Sequence, residues 1–161
     1  MDEAAKKKAL RMIPYGMFVL TSKSADGQSV GAATVNWVTQ ASFGPPLIVV
    51  GVKADSTAHA HIKETGVFAV NVIGKDQIDL AFNFFKSHER DGNSIGGEEF
   101  KQGGETGCPL FVNAPAWWEC KVTDEVARGD HTIFVGEVIE AGVQREDETI
   151  LMRDHKLNYG G

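Results

Sequence analysis

The apolar run Leu47 to Val52 constrains this chain more than any other stretch, because little except a strand buried on both faces accommodates it. It cannot be extended in either direction. Upstream, Pro45-Pro46 sets a turn, preceded by the polar segment Thr34-Val35-Asn36-Trp37-Val38-Thr39-Gln40-Ala41-Ser42. Downstream, Lys53 ends the run, and Ser56 to Thr65 reads as a helix capped by Asp55 or Ser56 and closed by Gly66.

The flanking sequence has the same character. Asp2 to Met12 reads as a short helix stopped by Pro14 and Gly16. Strands are expected over Met17 to Lys23 and Ser29 to Val35, joined by the hairpin signal Ala25-Asp26-Gly27, and over Val67 to Ile73. Gly31-Ala32-Ala33 lacks bulk, which suits either close approach of a ligand or crowding by a helix. Lys75 to Lys86 reads as an amphipathic helix with Ile78, Leu80, Ala81, Phe84 and Phe85 on one side. Ser87 to Gly107, rich in glycine and charge, reads as a long loop. Leu110 to Val112, Ala116 to Thr123 and His131 to Ala141 read as strands, the second alternating Trp117, Glu119, Lys121 and Thr123 against Trp118, Cys120 and Val122. The tail from Thr149 reads as one helical turn and an extended end. About seven short strands without strict helix alternation exclude a doubly wound sheet. They favour a mainly β (α+β) fold: a closed or partly closed antiparallel barrel with peripheral helices, residues 1–161 forming a single domain.

Several chemistries are disfavoured by the residues. A formal charge of −6 with no basic stripe argues against nucleic acid. No apolar run approaches the ~20 residues of a membrane span, and the charged N-terminus lacks a secretion signal, so a cytoplasmic location is expected. No two glycines are separated by one residue, which excludes Gly-x-Gly-x-x-Gly, and no Gly-Lys-Ser/Thr occurs. No metal site is expected, since His59 and His61 point apart on a helix and His131 has no second ligand nearby in sequence. Cys108 and Cys120 lack the setting of an activated thiol and read as structural.

Two features admit a ligand. Lys53 beside the helix start at Ser56-Thr57 could hold a phosphate, or Ser56 could simply cap the helix with Lys53 in solvent; Asp55 favours the second reading. Thr34 to Ser42 offers hydroxyls, amides and one large ring, which suits either a planar heterocycle or a polar bulge carrying a packed Trp37.

On these residues the chain resembles the flavin reductase-like family, the FMN-binding split β-barrel proteins, which include reductase components of two-component monooxygenases and flavoredoxin-type carriers. The resemblance runs over most of the chain: Pro14-Tyr15-Gly16, Thr34 to Pro46 with its Ser-x-x-Pro-Pro ending, Ser56-Thr57, Gly66-x-Phe68-x-Val70-Asn71, Leu80-Ala81-x-x-Phe84, Gly129-Asp130-His131 and Gly136-Glu137-Val138. It implies a split antiparallel barrel, a homodimer, and FMN (or FAD in its place) near the subunit interface. Thr34, Asn36, Trp37, Thr39, Gln40 and Ser42 would surround the ring and ribityl chain. Lys53, Ser56 and Thr57 would take the phosphate, and His131 would lie near flavin and nicotinamide. The chain departs from the pattern at Asn36 and Trp37, where small hydroxyl residues are common, and at Asp55. The implied activity is NAD(P)H-dependent flavin reduction by hydride transfer to flavin N5. That step needs no side-chain acid or base, so no catalytic residue is assigned. The implied partner is an oxygenase or redox protein. The alternative is an electron-transfer flavoprotein that keeps FMN bound and exchanges electrons with protein partners.

Overall fold

The computed structural model describes residues 1–161. Its main sheet is antiparallel and seven-stranded, built from β1 (Phe18–Lys23), β2 (Val30–Val35), β3 (Val38–Ser42), β4 (Leu47–Lys53), β5 (Val67–Val72), β10 (Ala116–Ala127) and β11 (His131–Val143). The pairing order is β2-β1-β5-β10-β11-β4-β3. The two edge strands, β2 and β3, are joined only by Asn36 and Trp37. Three peptide steps reach at most about 11 Å, so the two edges must lie side by side. A seven-stranded sheet can satisfy that only by curling round on itself. No ladder pairs β2 with β3, and the barrel stays split at this seam.

Leu20, Val35, Val50, Val52, Phe68, Val70, Cys120 and Phe134 fill the interior, together with Ala58 and Ile62 of α2 (Thr57–Thr65). The expected alternation in β10 holds, since Trp118, Cys120 and Val122 all join this cluster. Gly136 of β11 is needed there, because a Cβ at that position would lie 2.7 Å from the Phe68 ring. A second cluster lies outside the barrel. Met17, Val19 and Val30 pack there against Leu80, Ala81 and Phe84 around α3 (Ile78–Asn83), and against Ile95, Phe100 and Phe111.

The structure corrects three expectations and adds a strand. Ser87 to Gly107 is not a long loop but most of a second antiparallel sheet: β6 (Arg90–Asp91), β7 (Ser94–Ile95) and β8 (Glu98–Gln102), paired on to β9 (Pro109–Phe111). Gly96 (φ 58°) and Gly97 (φ 83°) make its tight β7–β8 turn, both in the left-handed region that such a turn requires. The helix over Lys75 to Lys86 contracts to α3, and Phe85 is exposed rather than on the packed side. Val38 to Ser42 is an edge strand, with an irregularity of register between Gln40 and Ser42. Finally, β4 is buried on one face only. Val50 and Val52 point into the barrel, while Val49 and Gly51 remain half-exposed on the other side.

His61 on α2 is buried, with Nδ1 3.2 Å from the Ser22 hydroxyl. Burial holds its pKa below the usual value, outweighing the nearby Glu64 and Asp26 carboxylates. The unfolded chain therefore binds this proton more readily than the folded one. His61 should contribute stability above pH 6.5, the ordinary imidazole value, and that contribution is lost as pH falls through the depressed folded value. Urea titrations from pH 8 to pH 5 should show a decline that His61→Gln flattens. Parallel curves for the two proteins would refute it.

Candidate functional site

The split between β2 and β3 opens onto a cleft of ≈ 850 Å³, a volume ordinary for a cofactor pocket. Four segments line it: Ile13 to Gly16 before β1, Asn36 to Thr39 at the seam, Val49 and Gly51 on the outer face of β4, and the β10–β11 hairpin with Val126, Arg128 to His131 and Ile133. The register explains how distant segments meet. His131 pairs with Lys53 and Ile133 with Gly51 across β11 and β4, while Val38 pairs with Val50 across β3 and β4.

Trp37 stands at the centre. Its carbonyl accepts from Gly51 N–H at 2.9 Å, and a Cβ on Gly51 would come within 3.0 Å of the indole, so glycine lets the ring lie against β4. The His131 ring lies 4.6 Å from Trp37, centre to centre. His131 Nδ1 is 2.9 Å from Asp130 Oδ1. This bond holds the Asp130 carboxyl below its usual range, so the carboxylate is ionised and accepts the proton carried by Nδ1. The indole N–H of Trp37 is buried without a partner, as are those of Trp117 and Trp118, but only Trp37 lines the cleft. Asn36 is buried and its amide nitrogen reaches only the Met152 sulfur. The Thr39 hydroxyl donates only to the adjacent Gln40 carbonyl, at 3.2 Å.

The structure therefore brings Asn36, Trp37, Thr39 and His131 together and leaves the other expected residues outside the cleft. Thr34 faces the outer cluster, its hydroxyl donating to the Ala81 carbonyl at 2.7 Å, so it fixes α3 to β2. Gln40 lies on the exposed side of β3 with its amide on the Ser42 carbonyl. Ser56 caps α2, accepting from His59 N–H at 3.1 Å and donating to the Lys53 carbonyl at 2.8 Å. Thr57 is the exposed first residue of that helix. Lys53 is paired with Asp55 at 3.1 Å, yet it sits one cross-strand step from His131. Arg128, Asp130 and Tyr15 line the cleft without having been singled out for it. Tyr15 and Asp130 belong to motifs that carry the resemblance, whereas Arg128 at the hairpin tip has no local signal.

The remaining titratable groups point elsewhere. His59 bonds Thr132 Oγ1 at 2.8 Å and His61 bonds Ser22, so they diverge; no cluster of three His, Cys, Asp or Glu side chains could hold a metal. Burial pushes Cys108 to about 11 and Cys120 to about 12, far from a reactive thiolate. No helix is long and apolar enough to cross a membrane.

The cleft wall thus offers a flat indole, an amide held only by a sulfur and a hydroxyl held only by a neighbouring carbonyl, groups of the kind that meet the face and edge of a flavin. Comparison with known proteins points the same way. A ferric-chelate reductase (NAD(P)H) of Archaeoglobus fulgidus is 34% identical over 158 residues, covering 96% of this chain and 90% of that one. A probable flavin reductase of Rhizobium meliloti (strain 1021) is 31% identical over 137 residues, but this chain spans only 42% of its length. The styrene monooxygenase flavin reductase SMOB of Pseudomonas putida S12 superposes with a TM-score of 0.73 at 29% identity, covering 89% of this chain and 88% of that one. The model of the flavin reductase like domain matches residues 10–160, and the chain belongs to the flavin reductase-like family.

Proposed function

We propose that this chain is an NAD(P)H-dependent flavin reductase that holds its flavin in the cleft at the barrel seam. The observation that carries the reading is a half-buried Trp37 at the centre of a cofactor-sized cleft, flanked by His131 and by Asn36 and Thr39, in a chain of this family. When bound, the flavin supplies the redox chemistry by accepting the hydride of NAD(P)H. The protein's share is positioning. Trp37 provides a flat surface, Asn36 and Thr39 meet the polar edge, and His131 closes the wall beside Trp37. Gln40 and Ser42 run along β3 the other way, toward Leu47 and away from Lys53, and take no part in this reading. Lys53, Ser56 and Thr57 form the phosphate end, past His131. The Lys53–Asp55 pair is largely exposed, so it is worth about 1 kcal/mol or less and yields readily to a dianion.

A homodimer completes the site in this reading. Val126 and Ile133 line the cleft yet are more than 40% exposed, and Phe43 on the β3–β4 turn is 93% exposed. A second copy over this face would bury them and wall the cleft. The electrons then go to a partner oxygenase, as the name of the styrene monooxygenase relative indicates for that protein.

Anaerobic stopped-flow tests the reading in four arms, FMN or FAD each with NADH or NADPH. At least one arm is expected to bleach the yellow flavin absorbance within seconds. Binding of flavin without bleaching in any arm would instead indicate a carrier reduced by protein donors.

A further inference from the structure

We infer that Tyr159 is a positioning residue, clamping His131 beside Trp37 so that the nucleotide meets a fixed imidazole. The inference rests on the reductase reading for its functional consequence, but its geometry stands apart from it. Tyr159 comes from the last stretch of the sequence and borders not the cleft but a smaller pocket that shares Ile13, Pro14 and Tyr15 with it. Its hydroxyl is 3.0 Å from His131 Nε2. Its ring centre is 5.4 Å from that of Trp37 and 6.0 Å from that of His131. Each of the three rings thus touches the other two.

The route of the chain to this place is built in. Leu157 packs on the outer cluster and its N–H donates to the Met152 carbonyl at 3.0 Å. Gly160, at φ 85°, lies flat on the indole, where a Cβ would come within 3.0 Å of Trp37 Cζ2. The Gly160 carbonyl accepts from Arg11 Nε at 3.3 Å, pinning the segment to α1 (Glu3–Leu10).

The proton inventory makes the clamp two-sided. Ionised Asp130 can only accept, so Nδ1 carries the proton. Nε2 in turn shares a hydrogen bond with the Tyr159 hydroxyl. Both nitrogens are engaged, and His131 presents ring rather than a free donor or acceptor to the cleft. Its part is therefore orientation, not proton transfer. An imidazole fixed on both sides holds the approaching nicotinamide equally before and during hydride transfer. Loosening it should weaken nucleotide binding more than it slows the bound step.

Tyr159→Phe tests this, since it keeps the ring and removes only the hydroxyl. In the flavin-free protein, imidazole ¹⁵N spectra should show the His131 Nε2 resonance moving toward that of an unbonded nitrogen. With flavin present, the KM for NAD(P)H should rise roughly fivefold, the loss of one hydrogen bond, while kcat changes less than twofold. Tyr159→Ala, losing ring and hydroxyl, should exceed Tyr159→Phe in KM, with circular dichroism confirming that it folds. An unmoved Nε2 resonance overturns the clamp, and a moved resonance with unchanged KM overturns its role in positioning. If wild-type protein does not bleach flavin, the reductase reading fails, and the ¹⁵N arm still decides on the clamp.

Discussion

Trp37→Ala is expected to weaken flavin binding by roughly 30-fold or more while leaving the fold intact. Truncating a central aromatic anchor in a binding site commonly costs about 2 kcal/mol or more, and about 1.4 kcal/mol corresponds to tenfold. Trp37 is such an anchor, packed between His131 and the bare backbone of Gly51 at the middle of the cleft. It belongs to none of the three hydrophobic clusters, so its loss should shift the thermal midpoint by only a few degrees. Trp37→Phe separates the ring from its N–H. It keeps a flat surface, and a loss below tenfold would assign most of the contact to stacking; a loss equal to that of Ala would assign it to the unpartnered N–H. Quenching of flavin fluorescence on titration measures all three. Unchanged affinity in Trp37→Ala would place the flavin elsewhere on the molecule.

Much of this arrangement was legible in the residues, and the parts that were not share a cause. Strands with apolar content, such as Leu47–Lys53 and Val67–Val72, stand where the sequence indicates, because burial of Val50, Val52, Phe68 and Val70 dictates them. The β3 strand could not be read this way. It is an edge strand with Thr39, Gln40 and Ala41 exposed, so no face supplies a hydrophobic period. The small β6–β8 sheet rests on Ile95 and Phe100 alone, too few anchors for a pattern, although Gly96-Gly97 is a hairpin signal that could have marked it. At the site, one contest visible in sequence, a phosphate at Lys53 and Ser56-Thr57 or a capping Ser56 with Lys53 in solvent, appears in the structure as a capping Ser56 and an exposed Lys53 that pairs with Asp55. Arg128 and Tyr159 escaped because they come to the site only through the β11–β4 register and the path of the final segment. Long-range pairing of that kind leaves no trace in local spacing.

Phe68→Ala should do the converse of Trp37→Ala, removing about 3–5 kcal/mol of stability with a smaller effect on flavin affinity in the folded fraction. Phe68 is fully buried at the centre of the barrel, where Leu20, Val50, Val70, Cys120 and Phe134 close around it. The strands have shaped themselves to this ring, since Gly136 leaves room that even a methyl group would invade. The walls are β-strands hydrogen-bonded on both sides, from β5 through β4, and cannot collapse into the space. The residual cavity therefore keeps the cost at the upper part of the range. Against a total stability of roughly 5–15 kcal/mol, such a loss lowers the thermal midpoint by about 10 °C at some 2–4 °C per kcal/mol. The link to the cleft runs through β4. Val50 and Val52 face Phe68, while Val49 and Gly51 face the cleft from the same strand, so slackness inside reaches Trp37 only through one backbone. Urea denaturation followed by tryptophan fluorescence, with flavin titration in the native baseline, measures both quantities on one sample. A variant as stable as wild type would contradict the packing, and a binding loss larger than that of Trp37→Ala would show that the cleft depends on the barrel interior more than on its own wall.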